Sequence, residues 1–386
     1  MNKLKNKIYF LSILFLLYFI VILEVVAIPS IAISAVDYLG INQSQITYIT
    51  TGFNLAGIFA PFFGFYGDKV GKKKVMILGI ILFIIGTYLT SNVTTLLGFI
   101  LARSITGLGY YTFISLLFAY IGDFIPYKDR GKVSGLLKGA FALAVLLAPI
   151  YSGSIIIYFN LSYIYRFISI AASVLLVFLL TLPESVSTQS RSIDITVFKK
   201  FLVNKDILKF IIVQFLYTIP GILFFSYFAF HLSSIGLVQT DISKIFVLIA
   251  VGSLMAGFVV YFLSDKIGKI KLIMLAFFVS ALGMIFLTST NIVIIICFLI
   301  VFLLGYDVIQ GLYLTVCGEI FEKERATFIS MLGFVMALSQ FLLSILAPII
   351  NRIGGYNLNI IVGTGSLAIA AVMFYGLYIK YRSRLN

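Results

Sequence analysis

Long apolar runs alternate with short polar clusters from one end of the chain to the other. At the rise of an α-helix, about 20 consecutive apolar residues cross a bilayer. On that measure membrane helices are predicted at 8–36, 44–66, 75–90, 94–124, 133–159 and 164–182. A second set is predicted at 207–232, 242–263, 270–289, 291–320, 326–350 and 358–379, making twelve. None of these runs shows the strict alternation of a membrane-barrel strand. The first run follows Lys3, Lys5 and Lys7, as a signal peptide would. It is longer than a signal h-region and eleven more runs follow, so it is expected to be retained. The predicted fold class is an all-α membrane protein: twelve transmembrane helices in two pseudo-symmetric six-helix halves, 1–182 and 207–386, with a polar linker at 183–206.

Composition removes the soluble alternatives. Of 386 residues, 61% are hydrophobic and 11% charged, against about 25% charged in a soluble domain. So few charges cannot cover a water-exposed surface. Cys297 and Cys317 both lie in apolar runs, so no disulfide scaffold is indicated.

The net charge of +14 suggests nucleic acid until its distribution is read. Of 28 Lys and Arg residues, 24 fall in the termini, the linker and every second loop. The opposite loops hold only Arg166, Lys244 and Arg352, and Arg103 lies inside a predicted span. Basic loops stay on the cytoplasmic side, so both termini are expected in the cytoplasm of a multi-pass protein of the cell membrane. The basic excess is topology and contact with lipid headgroups.

The chain also repeats itself. Gly67-Asp68-Lys69-Val70-Gly71-Lys72 returns as Ser264-Asp265-Lys266-Ile267-Gly268-Lys269, a shift of 197. Gly122-Asp123 returns as Gly318-Glu319, Arg130 as Arg325 and Ala148-Pro149 as Ala347-Pro348, with shifts of 196, 195 and 199. Repeats of this kind predict a binding site near the membrane midplane between two halves that rock against each other.

At these residues the chain resembles a twelve-span member of the major facilitator superfamily over essentially its whole length. The loop signature G-x-x-x-D-R-x-G-R-K stands as Gly64-Phe65-Tyr66-Gly67-Asp68-Lys69-Val70-Gly71-Lys72-Lys73. The fourth-span signature R-x-x-x-G-x-G stands as Arg103-Ser104-Ile105-Thr106-Gly107-Leu108-Gly109. The segment Asp123-Phe124-Ile125-Pro126-Tyr127-Lys128-Asp129-Arg130-Gly131 resembles the family's acidic-x-x-Pro-x-x-x-Arg-Gly. The first half is similar to drug:proton antiporters and related efflux permeases. The resemblance implies that Gly64, Gly67, Asp68, Gly71, Lys72, Asp123, Arg130 and Asp265 form a gating latch on the cytoplasmic side. The alternative for the lysines is that they hold topology by contacting anionic lipid. Lysine at 69 and 72 in place of arginine removes the bidentate fork and weakens such a latch. The antiporter motif G-P-x-x-G-G is reduced here to Ala148-Pro149-Ile150-Tyr151-Ser152-Gly153, so export and uptake both stay open.

Three ionisable residues lie deep inside predicted spans: Glu24, Arg103 and Asp307. Each would be costly facing lipid, so each marks a functional site. Glu24 lies 12 residues, about 18 Å, from the outer end of its span, and Arg103 lies 9 residues, about 14 Å, from its own, close enough to pair. Desolvation and a neighbouring guanidinium act on a carboxylate's proton affinity in opposite senses. Glu24 is therefore expected to carry a coupled proton, the alternative being a static ion pair between two helices. Asp307 is the second carboxylate candidate, for a proton or a cationic substrate. Asn54, Tyr110, Tyr111, Gln214, Tyr217, Tyr306 and Gln310 are expected to line the substrate cavity. His231, near the outer end of its span, is expected to be interfacial. Pro29, Pro149, Pro220 and Pro348 are expected to bend their helices.

No metal-ligand spacing, nucleophile elbow or phosphate loop is present, so neither an enzyme nor a bound cofactor is expected. The expected function is secondary active transport of a small organic solute, as a proton-coupled exporter or alternatively as an uptake symporter. A non-transporting sensor on the same fold would want a larger output domain than the linker. The expected partners are a small-molecule substrate, protons and membrane lipid, without nucleic acid, and the expected state is a monomer.

Overall fold

The computed structural model describes residues 2–125, 127–184, 204–320 and 325–385, and no strand occurs among them. Ten helical stretches among the described residues are long and apolar enough to cross a membrane. The chain divides into two compact units, Met1–Ile193 and Asp194–Asn386.

In the first unit, α1 (Asn2–Ala27) runs through a 3-10 turn at Ile28–Ile31 into α2 (Ala32–Leu39). The turn contains Pro29, which has no N–H to continue the α-helical ladder. The expected pass at 44–66 is carried by two shorter helices, α3 (Tyr48–Gly57) and α4 (Ala60–Val70). Pro61 in the first turn of α4 gives the reason, since proline starts a helix more readily than it continues one. Then follow α5 (Lys72–Thr90), α6 (Leu96–Phe124), α7 (Tyr127–Tyr158) and α8 (Leu161–Leu180). Gly71 joins α4 to α5 at φ +112°, a backbone geometry that side chains disfavour.

The second unit contains α9 (Lys205–Ser234), α10 (Gln239–Ile267), α11 (Lys269–Ile285), α12 (Ile292–Ile320) and α13 (Arg325–Leu385). Gly268 joins α10 to α11 at φ +91°, the counterpart of Gly71 at the repeat distance. Close packing repeats too. A Cβ on Gly109 of α6 would meet the Gly79 carbonyl of α5 at 2.5 Å, and one on Gly305 of α12 would meet the Ala276 carbonyl of α11 at 2.6 Å. Both contacts let two helix backbones touch, and their residues correspond at shifts of 196 and 197.

The expected spans 326–350 and 358–379 both fall on α13, which breaks at Gly354 and Gly355, the latter at φ +60°. The Asn359 amide donates to Asn351 Oδ1 at 2.7 Å. Eight residues along a straight helix separate two side chains by about 12 Å, beyond their reach. The chain therefore doubles back at the glycine pair. His231 sits beside this turn, with its ring stacked on Tyr356 at 4.5 Å and Nε2 within 2.9 Å of the Ser289 carbonyl oxygen. Pro149, Pro220 and Pro348 lie inside α7, α9 and α13.

Candidate functional site

Two carboxylates lie deep in apolar helices, one in each unit. In the first unit, Glu24 lies in the last turn of α1 and Arg103 two turns into α6. Both are fully buried, and Arg103 Nη1 donates to Glu24 Oε1. Helix packing brings this about. Gly107 of α6 lies so close to α3 that a Cβ would meet the Phe53 carbonyl oxygen at 2.6 Å. That approach lays the Phe53 ring over the guanidinium, 4.8 Å from its carbon. Tyr110 and Tyr111 pack against the same ring at 5.0 and 5.5 Å and against each other at 5.0 Å. Asn54 is buried beside Phe53 on α3.

The ion pair is incompletely satisfied. Glu24 Oε2 and Arg103 Nε and Nη2 are buried without a hydrogen-bond partner among the described residues. An unmet buried polar atom costs about 1–3 kcal/mol, more when charged. Glu24 and Arg103 thus attract each other while keeping free bonding capacity for a proton or a polar solute.

A second cluster surrounds the turn at Gly71. Lys72 and Lys73 are buried, in contrast to the exposed Lys69 and Lys74. Lys72 Nζ donates to both carboxylate oxygens of Asp123, at 3.0 and 2.9 Å. Lys73 Nζ donates to the carbonyls of Leu180 and Leu182 at 2.9 and 2.6 Å, and lies 3.1 Å from Glu184. The Tyr120 hydroxyl donates to the Pro183 carbonyl at 2.6 Å. For these two lysines the alternative of lipid contact gives way to protein partners. A Cβ on Gly67 would run into Leu116, so α4 packs closely on α6 here. Gly64 lies within α4, and the side chains of Asp68, Arg130 and Asp265 lie outside the described residues.

In the second unit, Ser253 of α10 donates its hydroxyl proton to Asp307 Oδ2 of α12. Gly252 permits this, because its missing side chain leaves room for Leu303, one turn before Asp307. The remaining expected cavity residues of this unit are Gln214, Tyr217, Tyr306 and Gln310. Tyr217 donates to Gln214 Oε1 at 2.9 Å and both are buried. The Gln214 amide nitrogen is buried without a partner among the described residues. Tyr306 is buried with its ring stacked on Phe302 at 5.5 Å, and Gln310 is partly exposed. Asn54, Tyr110 and Tyr111 therefore belong to one unit and these four to the other.

Sequence alone does not single out Phe53, Lys73 or Ser253 as site residues. A lone phenylalanine or serine in an apolar span carries no pattern, and Lys73 is one of three consecutive lysines that look alike in one dimension.

A sequence model of the Major Facilitator Superfamily matches residues 14–342. The uncharacterized MFS-type transporter YwfA of Bacillus subtilis is 30% identical over 108 residues, 27% of this chain and 26% of that protein. Multidrug resistance protein MdtL of Citrobacter koseri is 32% identical over 173 residues, 43% of each chain. These matches span less than half the length of either relative. Among solved structures, a D-xylose–proton symporter superposes with a TM-score of 0.81 at 14% identity, covering 96% of this chain and 97% of that one. At that identity the likeness concerns the fold alone.

Proposed function

Because the chain belongs to the major facilitator superfamily, we propose that this transporter is a proton-coupled exporter that moves a small organic solute by alternating access. On this reading the chain makes twelve passes in two six-helix halves joined by the linker at 183–206. It sits in the cell membrane with both termini in the cytoplasm. The observation that carries the coupling is the buried Glu24–Arg103 contact with three polar atoms left unpartnered. A cationic solute is held by the Glu24 carboxylate, whose Oε2 is unpartnered, and a proton on Glu24 cancels the charge that holds it. A solute bound to Glu24 in turn lowers that carboxylate's affinity for a proton, so solute and proton compete for one group. Phe53, Tyr110 and Tyr111 supply ring faces beside that exchange, suited to a flat or cationic organic molecule. The relative named a multidrug resistance protein supports export. The Lys72–Asp123 pair supports a latch that opens and closes between states.

The test uses proteoliposomes with a pH dye in the lumen and no initial gradient. Organic cations, then sugars and carboxylates, are added outside, and wild type is compared with Glu24→Gln. Lumen alkalinisation with wild type is expected, because inward solute flow drives protons out whichever way the protein is inserted. Acidification means symport and overturns the exporter reading. An identical pH signal in both proteins removes Glu24 from the coupling.

A further inference from the structure

The charged residues of the second unit's helices collect at helix ends. They are Lys205, Asp206 and Lys209 on α9, Asp241, Lys244, Asp265 and Lys266 on α10, Lys269 and Lys271 on α11, and Glu319 on α12. On α13 they are Arg325, Arg352, Lys380, Arg382 and Arg384, with Arg352 at the doubling-back turn. Asp307 is the exception. By helix rise it lies about 22 Å from the start of α12 and about 20 Å from its end. Its hydroxyl partner Ser253 lies about 21 Å from either end of α10.

Among the described residues of its unit, Asp307 has no counter-ion. α10 supplies the Ser253 hydroxyl to Oδ2, and the neighbouring titratable group is Tyr306, next to it on α12. No charged side chain of α9, α11 or α13 pairs with it among the described residues, and Oδ1 receives no hydrogen bond there. This is the opposite of Glu24, whose charge faces a guanidinium. A lone carboxylate at mid-membrane depth, with one neutral donor, is poorly supported as an anion. As a neutral acid it needs no counter-ion: Oδ1 carries the proton and Oδ2 accepts from Ser253. Asp307 is partly exposed and not sealed inside its unit.

We propose that Asp307, supported by the Ser253 hydroxyl, is a second proton-binding site, one that holds its proton at neutral pH and exchanges it independently of the Glu24–Arg103 pair. It rests on the transporter reading for its purpose but not for its chemistry. A cycle with two such carboxyls can move more than one proton per solute.

Infrared difference spectroscopy of the full-length protein in lipid nanodiscs tests this without a known solute. At pH 7, wild type minus Asp307→Asn is expected to show the carbonyl stretch of a protonated carboxylic acid, and raising the pH should remove it. Ser253→Ala should retain that band but shift it to higher wavenumber, because a hydrogen bond to the carbonyl has gone. Glu24→Gln should leave it in place. A carboxylate signature from Asp307 at pH 7 overturns the proposal. So does an acid band unchanged up to pH 10, which makes Asp307 a permanently neutral packing group. If Asp307→Asn does not fold, the Ser253→Ala shift decides the question alone, and no shift overturns the site. Loss of the Glu24 effect in the transport assay leaves this band untouched, so the two readings fail separately.

Discussion

A charged side chain inside a bilayer is stable only as well as its partner allows, and the Glu24–Arg103 contact shows how narrow that support is. Both groups are fully buried and one contact joins them. Removing a single partner from a buried ion pair leaves an uncompensated charge, at a cost of about 3–5 kcal/mol. Arg103→Met is therefore expected to lower the unfolding temperature in detergent markedly. Glu24→Leu combined with Arg103→Met should recover most of the loss, because two apolar side chains need no partner. A single variant as stable as wild type would show that the charges are solvated. The two residues could be named from sequence because charge deep in an apolar run is rare. Phe53 could not, since its value to Arg103 depends on a ring position that only helix packing sets.

Between elements, the controlling feature is how closely backbones approach. Gly109→Val pushes a branched side chain into the α5 backbone at Gly79 and Phe83, so little folded protein is expected in a fluorescence size-exclusion profile. Gly139→Ala, on α7, has open space around the new methyl and should be neutral or stabilising by up to about 1 kcal/mol in the same assay. Equal profiles for the two variants would contradict the packing described here. Lys73 ties α5 to the end of α8 through two backbone carbonyls. Lys73→Met keeps the stem but loses the donors, and a loss of about 1–3 kcal/mol is expected in thermal unfolding. Lys74→Met, at an exposed position, serves as the control and should change little. Nothing in the run of lysines distinguishes these positions until the helix is wound and one of them faces α8.

At the scale of the whole molecule, the proposed topology rests on the charge distribution and is open to direct reading. The proposed orientation predicts that a fluorescent protein fused after Asn386 is bright and alkaline phosphatase at the same site is inactive. The opposite pair of results would invert the orientation and, with it, the direction assigned to transport. The two compact units carry related turns at Gly71 and Gly268 and related close contacts at Gly109 and Gly305. Their carboxylates inside apolar helices are nonetheless unlike: among the described residues one is matched by a guanidinium, the other by a hydroxyl. The two units thus share packing features while their ionisable chemistry differs.

Sequence by itself determined the properties that depend on transfer from water to lipid. These are the membrane setting, the approximate spans, and the three charges too costly to face lipid. Each is a sum over local residues and needs no partner to be evaluated. Tertiary structure alone decided the properties that depend on which partner a group meets. It divided the pass at 44–66 into α3 and α4, and folded α13 back on itself at Gly354 and Gly355. It gave Lys72 an aspartate and Lys73 two carbonyls, and set Phe53 over Arg103 and Ser253 beside Asp307. Pair energies fall steeply with distance, and residues 50 or more apart in sequence acquire a distance only when the helices pack.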